Sequence, residues 1–319
     1  MSAASTAEGQ TAGRPVKVRR ISFDYPTDEL PRHFMAGDLV MSHVVSVLSA
    51  LFPEGEDFFV RSVRKHRDQI DDPELKAQVT GFIGQEAMHG REHRAFNERL
   101  QQLGYPTGLV DRFTGKRMRL NERFLPPHVQ LAITAALEHY TATLAEVLLA
   151  DPDAQAKFGD DEVRSLLLWH AVEESEHKAV AFDVFQAVSG NQRVRATVMN
   201  LVTVGFLGTS VGFTILSLLR DPASRDLRRL GRSLRGLRGS PWLTREVRRR
   251  IRDYNRPDFH PDDHDATALL DEWRQRLFGA QGTLVDHSPP AEVGGDVGKP
   301  QAARPAPWPP IIRTVGAVG

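Results

Sequence analysis

No cysteine occurs among the 319 residues of the chain. That absence excludes disulfides, thiolate metal sites and thiol nucleophiles, so a metal here must be held by oxygen and imidazole donors, a hard set that suits iron, manganese or zinc. An excess of one charge is also missing: 41 Lys and Arg balance 41 Asp and Glu. No overall field draws the protein to nucleic acid, and no nucleic-acid partner is expected. Alternating apolar and polar runs are lacking, which removes strands from the expected architecture. Residues 1–15 are rich in Ser, Ala, Gly and Thr and have neither a leading basic cluster nor an apolar signal core. They read as a flexible tail and imply a cytoplasmic protein. Apolar residues still make up 40% of the chain, enough to bury a real core in one medium domain with appendages.

What is present is apolar recurrence at three and four positions, the period of a helix. A first helix is expected from about Gly37 to Leu51, with Pro53 opening a second at its first turn. Asp71-Asp72-Pro73-Glu74 starts a third, which runs to Leu103 and stops at Gly104 and Pro106. Residues 105–125 form a long connection. Pro126-Pro127 and Asp160-Asp161-Glu162 start two more helices, the latter ending at Ser189-Gly190.

Four of these helices each offer a carboxylate, and two add a histidine three residues on: Glu86-Ala-Met-His89 and Glu174-Ser-Glu-His177. Residues i and i+3 leave a helix from one face, so each pair supplies an oxygen able to bridge two ions and a nitrogen able to cap one. Glu86 and Glu174 are therefore the expected catalytic bridges. Glu56 and Glu138 supply the single carboxylates, with Glu54 the alternative to Glu56. The order Glu56, Glu86 and His89, Glu138, Glu174 and His177 is that of an all-α, ferritin-like four-helix bundle with one long connection, here followed by additional C-terminal helices. An isolated Glu-x-x-His is more often a surface accident. Here both lie among apolar neighbours, Phe82-Ile83 and Leu166 to Trp169, where unpaired carboxylates would cost several kcal/mol each and so demand a cation.

His170, Glu174 and His177 stand at i, i+4 and i+7, one stripe that lets a third imidazole reach the same metals. His93 makes the analogous stripe with Glu86 and His89 and is either a ligand or a hydrogen-bonding support for one. Glu173 and Glu176 are left for supporting or solvent-facing roles. His139 points about 100° from Glu138 and is read as structural.

Beyond the bundle, residues 196–219 carry no charge. The length matches a bilayer crossing, roughly 20 residues, but Asn200, several Ser and Thr, and Gly205, Gly208 and Gly212 make it a mediocre span. Burial on the bundle or association with a membrane surface is expected ahead of crossing. From Arg220 to Arg256, 13 Arg face four acids; a solvated helical face and a basic amphipathic helix resting on anionic lipid are the two leading readings, with nucleic-acid binding third, since no aromatic interleaving accompanies the charge. The chain is thus divided into a tail at 1–20, a dinuclear-metal bundle at 21–192, an apolar and basic helical extension at 193–280, and a disordered Pro/Gly-rich tail at 281–319.

The stretches Gly84-Gln-Glu-Ala-Met-His89, Glu138-His-Tyr-Thr141, Trp169 to Lys178 and Tyr254 to Asp265 resemble the bacterial family of predicted metal-dependent hydrolases, over roughly residues 20 to 278. The ligand pattern is similar to that of ferritin-like di-iron oxygenases, and the stripe His170, Glu174, His177 resembles the extra-histidine arrangement of the arylamine N-oxygenases. The resemblance implies metal ligation by the matching residues and no particular substrate. From the donor set we expect two metal ions, iron ahead of manganese or zinc, and oxidation by dioxygen of a small hydrophobic molecule, which also requires an electron donor. Hydrolysis by a metal-activated water is the alternative, and non-enzymatic metal storage the third reading. Further expectations are peripheral contact with the inner face of the membrane, a homodimer, and His260, His264 and Asp265 as packing or capping groups rather than a catalytic lid.

Overall fold

Capping side chains set where the bundle helices start. Asp38, Asp72 and Asp160 each accept a hydrogen bond at 2.9 Å, from the amides of Met41, Glu74 and Val163, replacing partners that a first helical turn lacks. A computed structural model describes residues 16–25 and 30–287, and these hold helices, short 3-10 turns and no strand. In chain order the helices are α1 (Leu39–Arg64), α2 (Pro73–Gln102), α3 (Thr107–Phe124), α4 (Pro127–Ala150), the single turn α5 (Pro152–Gln155), α6 (Asp161–His177), α7 (Val180–Val188), α8 (Gln192–Arg220), α9 (Leu227–Gly236), α10 (Arg245–Asp253) and α11 (Thr267–Phe278). The expected all-α architecture is what the chain adopts.

Helices α1, α2, α4 and α6 enclose one interior, with α1 packed on α2 and α4, and α6 on α4 and α2. Two apolar clusters fill its ends. One gathers Phe34, Phe96, Trp169 and Trp273, the other Phe58, Phe82, Tyr140 and Phe185, each such ring contributing roughly 1.5–3 kcal/mol by leaving water. Between them lies a polar layer: the ring of His89 meets Trp169 of the first cluster, and that of His177 meets Phe82 of the second, both at 4.9 Å.

The helix break expected before Pro53 does not occur; α1 runs through it. Pro53 has no amide proton, so the carbonyl of Ser49 four residues earlier loses its helical donor. Asn97 of α2 supplies another, its Nδ2 lying 3.0 Å from that carbonyl oxygen. The expected single helix through Glu174 to Ser189 is instead interrupted after His177 and resumes as α7. The long connection from α2 to α4 is itself helical, since α3 occupies most of it and packs along α1.

Helix α8 is not a buried helix. One face packs on α1 and α4 at its two ends, burying Arg195, Val198, Met199 and Val202 at one and Thr214 and Ser217 at the other. The opposite face is open. The basic segment folds back as α9 and α10, anchored where Val40 N donates to Ser233 Oγ at 2.8 Å and where Arg250 pairs with buried Glu146. His260 caps the turn Pro261–Asp263 and donates from Nε2 to Asp183 at 2.9 Å, a packing role.

Parts of both stretches expected as tails lie against the bundle. Residues 16–20 lie across α2, where Gly81 and Gly84 admit them: a Cβ on either glycine would fall 2.3 Å from the Val16 carbonyl oxygen or the Val18 side chain. At the other end, residues 281–287 dock on the bundle, with Leu284 buried and Ser22 N donating to the His287 carbonyl at 3.1 Å. Residues 1–15 and 288–319, the remainder of the two tails, lie outside the described residues.

Candidate metal centre

Four helices deliver their acids to one place. Glu56 from α1, Glu86 and His89 from α2, Glu138 from α4, and Glu174 and His177 from α6 are all at most 3% exposed. His170, one turn before Glu174, joins them. Four overlapping groups of donor atoms lie within 4.8 Å of one another: Glu56, His93 and His170; His89, His170 and Glu174; and two that together take in three of the four acids, Glu56, Glu86 and His89 in one, Glu86, Glu138 and His177 in the other. Glu86 belongs to both. Its Oε1 is 3.7 Å from His89 Nδ1 and 3.1 Å from His177 Nε2. Glu174 Oε1 is placed in the same way, 3.6 Å from the first nitrogen and 3.7 Å from the second. Donor separations of this size are those of donors about 2.1 Å from a shared cation.

The hydrogen bonds behind the imidazoles fix which nitrogen faces inward. His89 donates from Nε2 to Glu173 Oε2 at 3.0 Å, which leaves the Nδ1 lone pair toward Glu86 and Glu174. His177 donates from Nδ1 to Gln85 Oε1 at 2.9 Å, leaving Nε2 inward. The Gln85 amide is itself oriented, because its Nε2 donates to the Lys17 carbonyl and to Glu176. A longer chain sets His170. Ser49 donates to Asn97 Oδ1, so its hydroxyl accepts from His93 Nδ1, and His93 Nε2 must then accept from His170 Nδ1 at 2.6 Å. The Nε2 lone pair of His170 therefore faces Glu174 Oε1, only 2.8 Å away. Two lone-pair atoms that close require a cation or a proton between them.

His93 lies close to the centre, a ring nitrogen within 4.8 Å of donor atoms of Glu56 and His170. Both its ring nitrogens are within hydrogen-bond distance of a partner, Ser49 at 2.9 Å and His170 at 2.6 Å, the arrangement of a support for a neighbouring imidazole. Glu173 and Glu176 do not face solvent. Glu173 holds His89, and Arg19 from the N-terminal segment joins the two acids, at 3.0 Å from Glu173 and 2.7 Å from Glu176. Glu54 points away toward Arg119 of α3, 3.8 Å off. His139 donates to the Arg250 carbonyl and takes no part. Sequence reasoning missed Gln85, Arg19, Ser49 and Asn97. Of these only Gln85 carried a signal, one residue before Glu86.

The donor atoms are left without partners where a metal would sit. Both oxygens of Glu56, Glu86 and Glu138, Oε2 of Glu174, Nδ1 of His89 and Nε2 of His177 are buried and make no hydrogen bond. So many orphaned acceptors at one point are incompatible with an apolar interior unless cations or protons intervene. Burial, reinforced by neighbouring acids, pushes Glu56 well above the usual carboxylate range, raises Glu86 and carries Glu138 to about 8. Glu174 moves the opposite way: burial raises it, but the imidazoles of His170, His177 and His89 gathered around it outweigh that and hold it well below. Burial takes His170 down to about 4. For His89 and His177 burial is outweighed by the surrounding acids, and both are raised. The buried acids and imidazoles fit a metal site.

A second cluster shows what a satisfied network looks like. Asp221 Oδ2 accepts from Arg32, His33 and His43 at 3.0–3.1 Å, while Ser217 and Arg229 engage the other ring nitrogens of His43 and His33. Every donor and acceptor there has a partner, and two arginines supply the positive charge. It ties α8 to the start of α1 and leaves no lone pair for an ion.

Removing the support of one imidazole gives a sharp test. Glu173→Ala is expected to weaken metal binding about 10–100-fold while sparing helix content, since His89 loses the acceptor that fixes its ring. Titration against a competing chelator measures this, and unchanged affinity would show that Glu173 does not orient the site.

No curated protein and no solved structure matches the chain. A protein-family model described as "predicted metal-dependent hydrolase" matches residues 17–265. That stretch contains every acid and imidazole of the centre, together with Arg19 and the helices that carry them. With well over half of its length matched, the chain belongs to the predicted metal-dependent hydrolase family.

Proposed function

We propose that the protein is a dinuclear-metal enzyme of ferritin-like build that hydrolyses an ester or related bond in a small apolar molecule. The observation that carries the dinuclear reading is Glu86, shared between two donor groups whose inward lone pairs have no other partner. Glu56, Glu86 and His89, with His170 alongside, would hold one ion, and Glu86, Glu138 and His177 the other, with Glu174 spanning both. Ions held there supply Lewis acidity and lower the pKa of water. The family match supports hydrolysis over the oxidation expected from the donor set.

The chain's own residues bind and orient the substrate. A cavity of about 280 Å³ lies between α1, α3, α4 and α8, near the lower end of small-molecule sites, roughly 300 Å³. Its wall includes Phe52, whose ring is 4.8 Å from those of both His93 and His170, and Gly55 and Leu137, the neighbours of Glu56 and Glu138. Phe59, Leu137 and Phe206 exclude water from the bound molecule. Arg117 is the charged side chain of the lining and donates to Thr209 Oγ1 at 3.3 Å; it is placed to meet a polar end group.

Oxidation by dioxygen is the second reading, favoured by four carboxylates and three imidazoles on helices, a donor set suited to iron. Protein purified without oxygen, analysed for metals and then offered model acyl esters or oxygen, separates the two. Chelator-sensitive ester cleavage by zinc- or manganese-loaded protein supports hydrolysis. Oxygen consumption by iron-loaded protein that cleaves no ester supports oxidation, and failure to bind any of these metals sinks both.

A further inference from the structure

The outward face of α8 is an uninterrupted apolar stripe. Leu201, Val204, Val211, Ile215 and Leu219 follow one another at helical spacing with Gly208 among them, and each of the five is more than half exposed. Helix α3 adds Phe113, Leu120 and Phe124, also exposed. The two helices meet through the rings of Phe113 and Phe213, 5.1 Å apart, and through Arg117 and Thr209. Phe113 and Leu201 line the cavity as well as facing outward. The cavity beside the metal centre therefore opens within this apolar face.

Charge around the face has one sign. Helix α8 contains no acid and ends at Arg220. Exposed Arg112, Lys116, Arg117 and Arg123 border the α3 side, whose two acids have basic neighbours, Asp111 lying near Arg94 and Arg112 and Glu122 turned toward Arg61 at 2.7 Å. Beyond Arg220, α9 exposes Leu227 and Leu234 among Arg228, Arg232 and Arg235. An apolar strip with a basic rim matches the acyl and headgroup layers of an anionic bilayer. A second copy of the chain would set the same basic rims against each other, a repulsive arrangement. The inward face of α8 is packed at both ends, so the helix lies along a membrane rather than through it.

We propose that the α3–α8 face docks on anionic lipid surfaces and that the cavity takes its substrate, a molecule with a long acyl chain, from the bilayer. Docking is independent of the reaction; the substrate class rests on the hydrolytic or oxidative reading above. Lipid chains reach the centre past Phe113 and Leu201, with Arg117 beside the polar end.

Flotation of the full metal-loaded chain with phosphatidylcholine vesicles, with and without phosphatidylglycerol, tests this. Recovery with the anionic vesicles should be at least about tenfold higher, as expected of several basic residues near a charged surface, and the double variant Val211→Glu, Ile215→Glu should lose it. Neither residue lines the cavity, so the variant should keep its metal content and its turnover of a short soluble substrate. That control separates failed docking from a failed enzyme. No flotation with either vesicle, flotation that the double variant retains, or a solution dimer that the variant splits would each overturn the proposal, the last by assigning the face to a second copy.

Discussion

Glu86→Ala is expected to empty both cation positions, whereas Glu56→Ala or Glu138→Ala should empty one. The asymmetry follows from geometry: the Glu86 carboxylate belongs to both donor groups, while each single acid belongs to one of those two. Removing one member of a buried, mutually compensating set costs about 3–5 kcal/mol, or roughly 10²–10⁴-fold in affinity at each position. Elemental analysis after dialysis would then show near-complete metal loss in Glu86→Ala and about half in the other two. Turnover, whatever its chemistry, should fall at least about 100-fold in Glu86→Ala. Retention of both ions in that variant would contradict a shared carboxylate.

Stripping the metal should make the protein's stability fall as pH rises from about 6.5 through 8, the reverse of ordinary carboxylate behaviour. The sign follows from which state holds more protons. Glu138 keeps its proton to about 8 in the folded chain, while an unfolded glutamate loses it near 4.5. Raised Glu56, Glu86, His89 and His177 act in the same direction. The depressed imidazoles, His170 and His93, oppose them only below the ordinary histidine value of 6.5. Across this window Glu138 alone accounts for on the order of 2 kcal/mol. Bound cations replace those protons, so the loaded protein should show a far flatter profile and a higher melting temperature, and its metal affinity should weaken as pH falls below 8. Chemical denaturation of chelated and loaded protein at pH 6.5 and 8 measures both effects. A metal-free protein that gains stability over this range would refute the buried, proton-holding acids.

Much of the bundle was legible because helix periodicity is a local property. The spacing of Glu86 to His89 and of Glu174 to His177 already places each pair on one face, and the caps Asp72 and Asp160 mark where the helices carrying them begin. What escaped depends on partners distant in sequence. A proline reads as a helix boundary unless something meets the carbonyl it orphans, and Asn97 is 48 residues from Ser49. Glu173 lies off the stripe of Glu174, which left a supporting and a solvent-facing role both open, and only the seam between α2 and α6, distant in sequence, gives it His89 as a partner. Arg19 sits in a stretch with the composition of a tail, and nothing local reveals that two buried acids await it. The uncharged run of α8 posed a different difficulty. Apolar content indicates that a surface avoids water but not whether protein covers it, and here protein covers only one side.

The N-terminal strap over Gly81 and Gly84 has a consequence for biosynthesis. Arg19 leaves the ribosome long before the acids it joins, for its contact with Glu173 spans 154 residues and that with Glu176 spans 157. Contacts of such sequence separation form late and slowly. The strap can settle on α2 earlier, through Gly81, Gly84 and Gln85, but its ion pairs must wait until α6 has emerged. Only then can Arg19 lock Glu173 behind His89, so a residue made early takes up its partners late.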